Sequence, residues 1–159
     1  MKYKNLTLEE LKHLEEELKQ FLILNHVYAE EWETLNKENP TKAKKLVSMF
    51  SDQVFEKIYN SISYLENRKK DSCFVFHFKE IEIELILIQR KHSANEDIQL
   101  NTLEGIHTAL TSQVNELRFF TQQKKYTEER AIEIHKMLEQ GCIKSSAEFW
   151  NALKEVIEK

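Results

Sequence analysis

Glycine and proline are almost missing from this chain: two and one, respectively, in 159 residues. Phosphate-cradling loops and turn-dense all-β folds need more glycine than that, so long helices joined by short connections are favoured. Only two cysteines occur, Cys73 and Cys142, in no Cys-x-x-Cys spacing. They read as reduced thiols of a cytoplasmic protein. Long apolar runs are also lacking. The stretch at residues 21–24 is far too short to cross a bilayer, and no apolar signal region follows Met1, so no membrane association is expected. Positive charge is not in excess either. A formal charge of -4 argues against a protein wrapped generally around nucleic acid, though not against a local basic patch. At this length a single domain over residues 1–159 with a proper core is expected.

What is there is mostly helical patterning. Thr7 and Glu10 form a capping box, after which Leu8, Leu11, Leu14, Leu18, Phe21 and Leu22 recur at helical spacing. A short helix is expected over residues 29–37. Asn39-Pro40 is a start signal, and the stripe Ala43, Leu46, Val47, Phe50, Val54, Ile58, Ile62, Leu65 predicts one long helix reaching about Asn67. Further boxes begin at Asn101 and Ser145. The helix opened at Asn101 is expected to carry Leu103, Ile106, Leu110, Val114, Leu117 and Phe120 inward. Thr127 is expected to cap the next helix, and Gly141 occupies the place where a left-handed residue ends it.

One stretch, residues 72–90, reads as β structure. Phe74, Phe76 and Phe78 alternate, then Ile81, Ile83, Leu85 and Leu87 alternate in the opposite phase. A straight strand would put the two sets on opposite faces; a hairpin reversing near Lys79-Glu80, with Phe78 opposite Ile81, puts them on one. Cys73, Val75, Ile86 and Ile88 then share the other face. The expected fold is α+β, predominantly α, with five or six helices around one antiparallel β-hairpin. The aromatic face should lie on the helices that begin at Pro40 and Thr102.

Several of these segments together resemble a small family of bacterial proteins catalogued as a domain of unknown function. They are Ala29-Glu-Glu-Trp32, Phe50-Ser-Asp-Gln-Val54, Ser63-Tyr-Leu-Glu66, Phe76-His-Phe78 with Ile83-Glu-Leu85, and Tyr126-Thr-Glu-Glu-Arg130 through Gly141-Cys142. The resemblance spans most of the chain. It implies a cytoplasmic helical domain and supplies no catalytic residue.

Chemistry-bearing motifs are sparse. Glu10-x-x-His13 and Glu104-x-x-His107 copy the spacing of di-iron carboxylate bundles, but His13 and Glu104 point away from their apolar stripes, so no metal and no cofactor is expected. Cys73 and His77 share a strand face four residues apart, too far to touch. The last helix balances Glu148, Glu155 and Glu158 against Lys154 and Lys159, which does not suit a recognition helix in a major groove. One charge pattern stands out. A hairpin joins Arg68, Lys69 and Lys70 to Arg90, Lys91 and His92 at its open end. The expected function is therefore a non-enzymatic interaction protein whose basic hairpin end contacts a protein or nucleoprotein assembly. Val75, Ile86 and Ile88 are candidate interface residues, and a homodimer through the hairpin edge is one form of contact. The alternative is an enzyme or ligand-binding domain with a pocket between hairpin and helices.

Overall fold

The computed structural model describes residues 2–91 and 97–158. They form seven α-helices and one five-stranded antiparallel sheet, an α+β fold dominated by helix. The chain divides into two compact units, residues 1–59 and 60–159.

The first unit is helical: α1 (Leu8–His13), α2 (Glu15–Leu24), α3 (Ala29–Glu38) and α4 (Pro40–Asn60). The box at Thr7 and Glu10 is present in both directions. Phe21 meets Phe50 with ring centroids 5.4 Å apart, and Ser51 accepts the Leu6 amide at 2.9 Å. α2 ends in a Schellman turn: the Val27 amide donates to Leu22 and the His26 amide to Ile23, with His26 at a φ of 64°. Buried Val27 and Leu22 supply the apolar contact that accompanies such a turn.

The second unit carries the sheet, in the order β4-β3-β2-β1-β5. Its strands are β1 (Tyr64–Arg68), β2 (Ser72–Phe78), β3 (Glu82–Arg90), β4 (Leu117–Lys125) and β5 (Ile143–Lys144). The expectation of a lone hairpin is corrected: β2 and β3 do pair, but β1 flanks one side and β4 the other. The long helix predicted to reach Asn67 stops at Asn60, and the helix predicted through Phe120 is α5 (Leu103–Ser112), followed by β4. In both places the three- and four-residue apolar spacing ran on past the helix. Leu65 is fully buried on a strand and Leu117 begins one, because ladder partners far along the chain were available.

The register within the hairpin is Phe78 opposite Ile83, two residues from the expected pairing. A shift of two preserves the faces, so Phe74, Phe76, Phe78, Ile83, Leu85 and Leu87 do share one. Ile81 sits in the turn, 72% exposed. The place expected for the helix from Thr102 is corrected, however. α5 and α7 (Ala147–Glu158) pack on the opposite face, where Ile106, Ala109, Trp150 and Leu153 close over Cys73, Val75, Ile86 and Ile88. α6 (Arg130–Glu139) takes the aromatic face instead. It ends in a second Schellman turn, with Gly141 at a φ of 104°, the Cys142 amide on Met137 and the Gly141 amide on Leu138. Two caps lie one residue later than predicted, at Thr102 and Ser146. Thr127 does not cap α6; Glu133 reaches back to accept from Thr127 and the Glu128 amide.

Candidate functional site

The basic residues at the hairpin's open end have structural employment. Arg68 is half-buried and donates to Glu66, itself 2% exposed and also bonded by Ser145. Arg90 donates through its side chain to the Ile98 carbonyl at 3.1 Å, and Lys91 to the Asn115 carbonyl at 2.6 Å. Lys69 lies over the Phe74 ring at 5.5 Å; Lys70 is exposed and lends its carbonyl to the Leu100 amide. His92 lies outside the described residues. At the open end the Lys69 amide bonds Ser72 and the Arg90 amide bonds Asp71, so the main chain of the two basic runs flanks the same β1–β2 turn. Four of the five described cations direct their heads at neighbouring protein atoms, three by hydrogen bonds and Lys69 over an aromatic ring.

Val75, Ile86 and Ile88 are each 0% exposed, enclosed by α5 and α7. An interface through them would need this core opened, so the apolar second face is covered by the chain itself. The hairpin also has no free edge, since β1 and β4 occupy both.

Around the β2–β3 turn, titratable groups cluster. Arg130 donates to the carbonyls of Ile62 (2.5 Å), Phe78 (3.0 Å) and Lys79 (3.3 Å), and the Tyr126 hydroxyl donates to Lys79 at 2.6 Å. On the other face Glu84, 8% exposed, is paired with Lys79 and with Lys154 at 3.2 Å. Burial works to raise its pKa, but the two lysines outweigh that and hold it below the usual carboxylate range. His77 stacks on Tyr64 at 4.4 Å and meets the Trp150 edge at 5.3 Å. Burial and then Lys79 push its pKa down. Cys73 has its thiol pushed up to about 12, by burial and then by Glu66, so it is a packed thiol and not a nucleophile. Glu84 with its two lysines, and Arg130 and Tyr126 with main-chain carbonyls, are paired, whereas the buried Nδ1 of His77 has no hydrogen-bond partner among the described residues. Among the described residues no group of three or more His, Cys, Asp or Glu gathers as for a metal ion, and no helix is long and apolar enough to cross a membrane.

The accessible feature is β4, which sequence reasoning assigned to a helix. It is a nine-residue outer strand with no strand on its far side among the described residues. The Lys91 amide donates to the Glu116 carbonyl, one step beyond the Arg90–Leu117 pair. Antiparallel alternation then fixes the ladder. Arg118, Phe120, Gln122 and Lys124 bond to β3, while Leu117, Phe119, Thr121, Gln123 and Lys125 turn their N–H and C=O groups outward. The Arg90 amide bonded to Asp71 and the Lys79 amide bonded to Glu82 give β3 the complementary phase, which confirms the alternation. The strand carries Arg118, Lys124 and Lys125 and no acidic residue, and everything on it beyond Phe119 is exposed.

Beside β4, on the aromatic face, runs a groove of about 320 Å³. Phe76, Ile83 and Leu85 form its floor; Gln122 and Lys124 of β4 form one wall. The other wall is α6, with Met137 and Gln140 facing it.

These features define an α+β protein built on a five-stranded antiparallel sheet with one long open edge. The chain belongs to the Family of unknown function (DUF6495), whose profile matches residues 1–158. No curated protein and no solved structure matches it.

Proposed function

We propose that this chain is a non-enzymatic interaction module, acting in the bacterial cytoplasm, that receives an acidic strand of a partner protein along the outer edge of β4. The observation that carries the reading is the row of outward main-chain groups at residues 117, 119, 121, 123 and 125. Strand addition to such an edge draws its affinity from main-chain hydrogen bonds. The chemistry of the edge argues for the kind of partner. Arg118, Lys124 and Lys125 are uncompensated within the strand. A second copy paired antiparallel about Thr121 would set Arg118 against Lys124 twice, and like charges directly opposite are destabilising. A partner strand with acidic residues at those places turns both contacts favourable. Arg118 lies opposite Gln89, next to the basic open end of the hairpin, so that end would extend the same contact. A cytoplasmic setting fits two buried, unbridged thiols, Cys73 and Cys142.

The probe is a fluorescein-labelled peptide, Glu-Glu-Val-Phe-Thr-Thr-Val-Glu-Thr, written to lie antiparallel to residues 117–125. Fluorescence anisotropy should report binding that weakens as salt is raised. Thr121→Pro removes an outward donor and none of the β3 ladder, a position where an edge strand tolerates proline. It should cost tenfold or more in affinity with the circular dichroism unchanged. Failure to bind, indifference to Thr121→Pro, or preference for a single-stranded RNA oligomer over the peptide would each refute the reading.

A further inference from the structure

The groove beside β4 lies where an added strand would need a specificity pocket. We infer that it receives one aromatic or large aliphatic side chain of the partner strand, at the position opposite Gln122. This rests on strand addition at β4 and names what that strand must carry. A partner strand lies about 4.8 Å beyond β4, and its side chains alternate between the two faces of the sheet. Those opposite residues 118, 120, 122 and 124 stand on the aromatic face, the face of the groove. Gln122 is both a wall of the groove and a residue of the edge strand, so the partner residue opposite it stands at the lip. The floor at Leu85 is the next strand in, directly across from Gln122. The partner residue stands two strand spacings, about 9.6 Å, from Leu85, a span only an aromatic or long side chain can cross toward the floor.

The lining suits such an occupant. Phe76, Ile83, Leu85 and Met137 offer apolar contact, and a thioether adapts to an aromatic ring. Glu133 also borders the groove, but its carboxylate is taken up by Thr127 and the Glu128 amide. Burial works to raise its pKa, and those hydrogen bonds to Oε1, with the Lys124 charge, bring it below the usual range. Lys124 stands at the rim two residues from Gln122, which places an acidic residue of the partner two positions from its anchor. Arg118 places the other acid four positions beyond the anchor. The motif on the partner is therefore acid-x-anchor-x-x-x-acid, read antiparallel to β4 as every pair in this sheet is.

The experiment compares the peptide above with its twin bearing serine in place of phenylalanine, on the full chain and on the Met137→Glu variant. On the unmodified chain phenylalanine should bind about tenfold tighter, the scale of burying most of an apolar side chain. On Met137→Glu the two peptides should bind alike, at the serine level. Equal binding of both peptides to the unmodified chain would overturn the anchor and leave strand addition standing. An advantage for phenylalanine that survives Met137→Glu would place the anchor elsewhere and overturn the inference. Binding of neither peptide would overturn both. N-acetylphenylalanine binding as tightly as the peptide, with Thr121→Pro making no difference, would make the groove a small-molecule site and overturn the strand anchor.

Discussion

Replacing Arg130 with methionine should loosen the β2–β3 turn more than any other single change outside the core. The guanidinium is a cation that donates to three carbonyls, two in the turn (Phe78 and Lys79) and one, Ile62, just before β1. Methionine keeps much of the apolar stem and removes every donor. A hydrogen bond from a charged donor contributes roughly 1.5–3 kcal/mol, less where water can replace it. Arg130 is half-buried, so about 1 kcal/mol for each of the three bonds is appropriate, and the loss should be about 3 kcal/mol. Urea unfolding followed by Trp150 fluorescence, in a Trp32→Phe background, reads the sheet unit alone. Tyr126→Phe should couple to it, because both side chains donate to the Lys79 carbonyl. A double-mutant cycle should return a coupling of about 0.5 kcal/mol or more. A loss below about 1 kcal/mol for Arg130→Met would refute the clamp, and the turn would then be held by the strand ladder alone.

His26 adopts a left-handed conformation that glycine takes freely, so His26→Gly should raise stability by about 0.5–1 kcal/mol in thermal unfolding of the chain. Gly105→Ala should do the reverse: an added Cβ would lie 1.9 Å from the Gln99 carbonyl oxygen, so backbone must move, at about 1–3 kcal/mol. Acid should destabilise the sheet unit in two stages. The His77 pKa is lowered on folding, so the unfolded chain protonates first and stability falls as pH drops below 6.5; His77→Phe should flatten that limb in urea titrations across pH. The Glu84 pKa is also lowered on folding, so its contribution is present above 4.5 and is lost as pH falls through the folded value; Glu84→Gln should remove this second limb.

Local chemistry was legible and long-range pairing was not. Thr7 with Glu10, and Gly141 after α6, announce themselves because a cap involves residues three or four apart. The faces of β2 and β3 could be read from the phase change at the turn, even with the register two residues out, because side-chain direction repeats every two residues. β1 and β4 were hidden for a common reason. Ile62 with Leu65, and Leu117 with Phe120, keep a helical spacing, and only partners elsewhere in the chain make Leu65, Leu117 and Phe120 strand residues. The candidate edge was invisible with them. The convergence of Arg68 and Arg90 followed from the hairpin, whereas the atoms that occupy them, on Glu66 and Ile98, depend on how segments outside it return.

The alternation of β4 separates two duties that usually share a surface. Its even-numbered residues hold the strand to the molecule, and its odd-numbered ones offer main chain to whatever comes next. A proline walked along the exposed part of the strand should therefore meet alternating tolerance: accepted at Thr121 and Gln123, and ruinous at Phe120 and Gln122. At Thr121, Gln123 and Lys125, beyond the core contacts of Leu117 and Phe119, recognition can drift without the fold noticing, since a change there leaves the β3 ladder untouched.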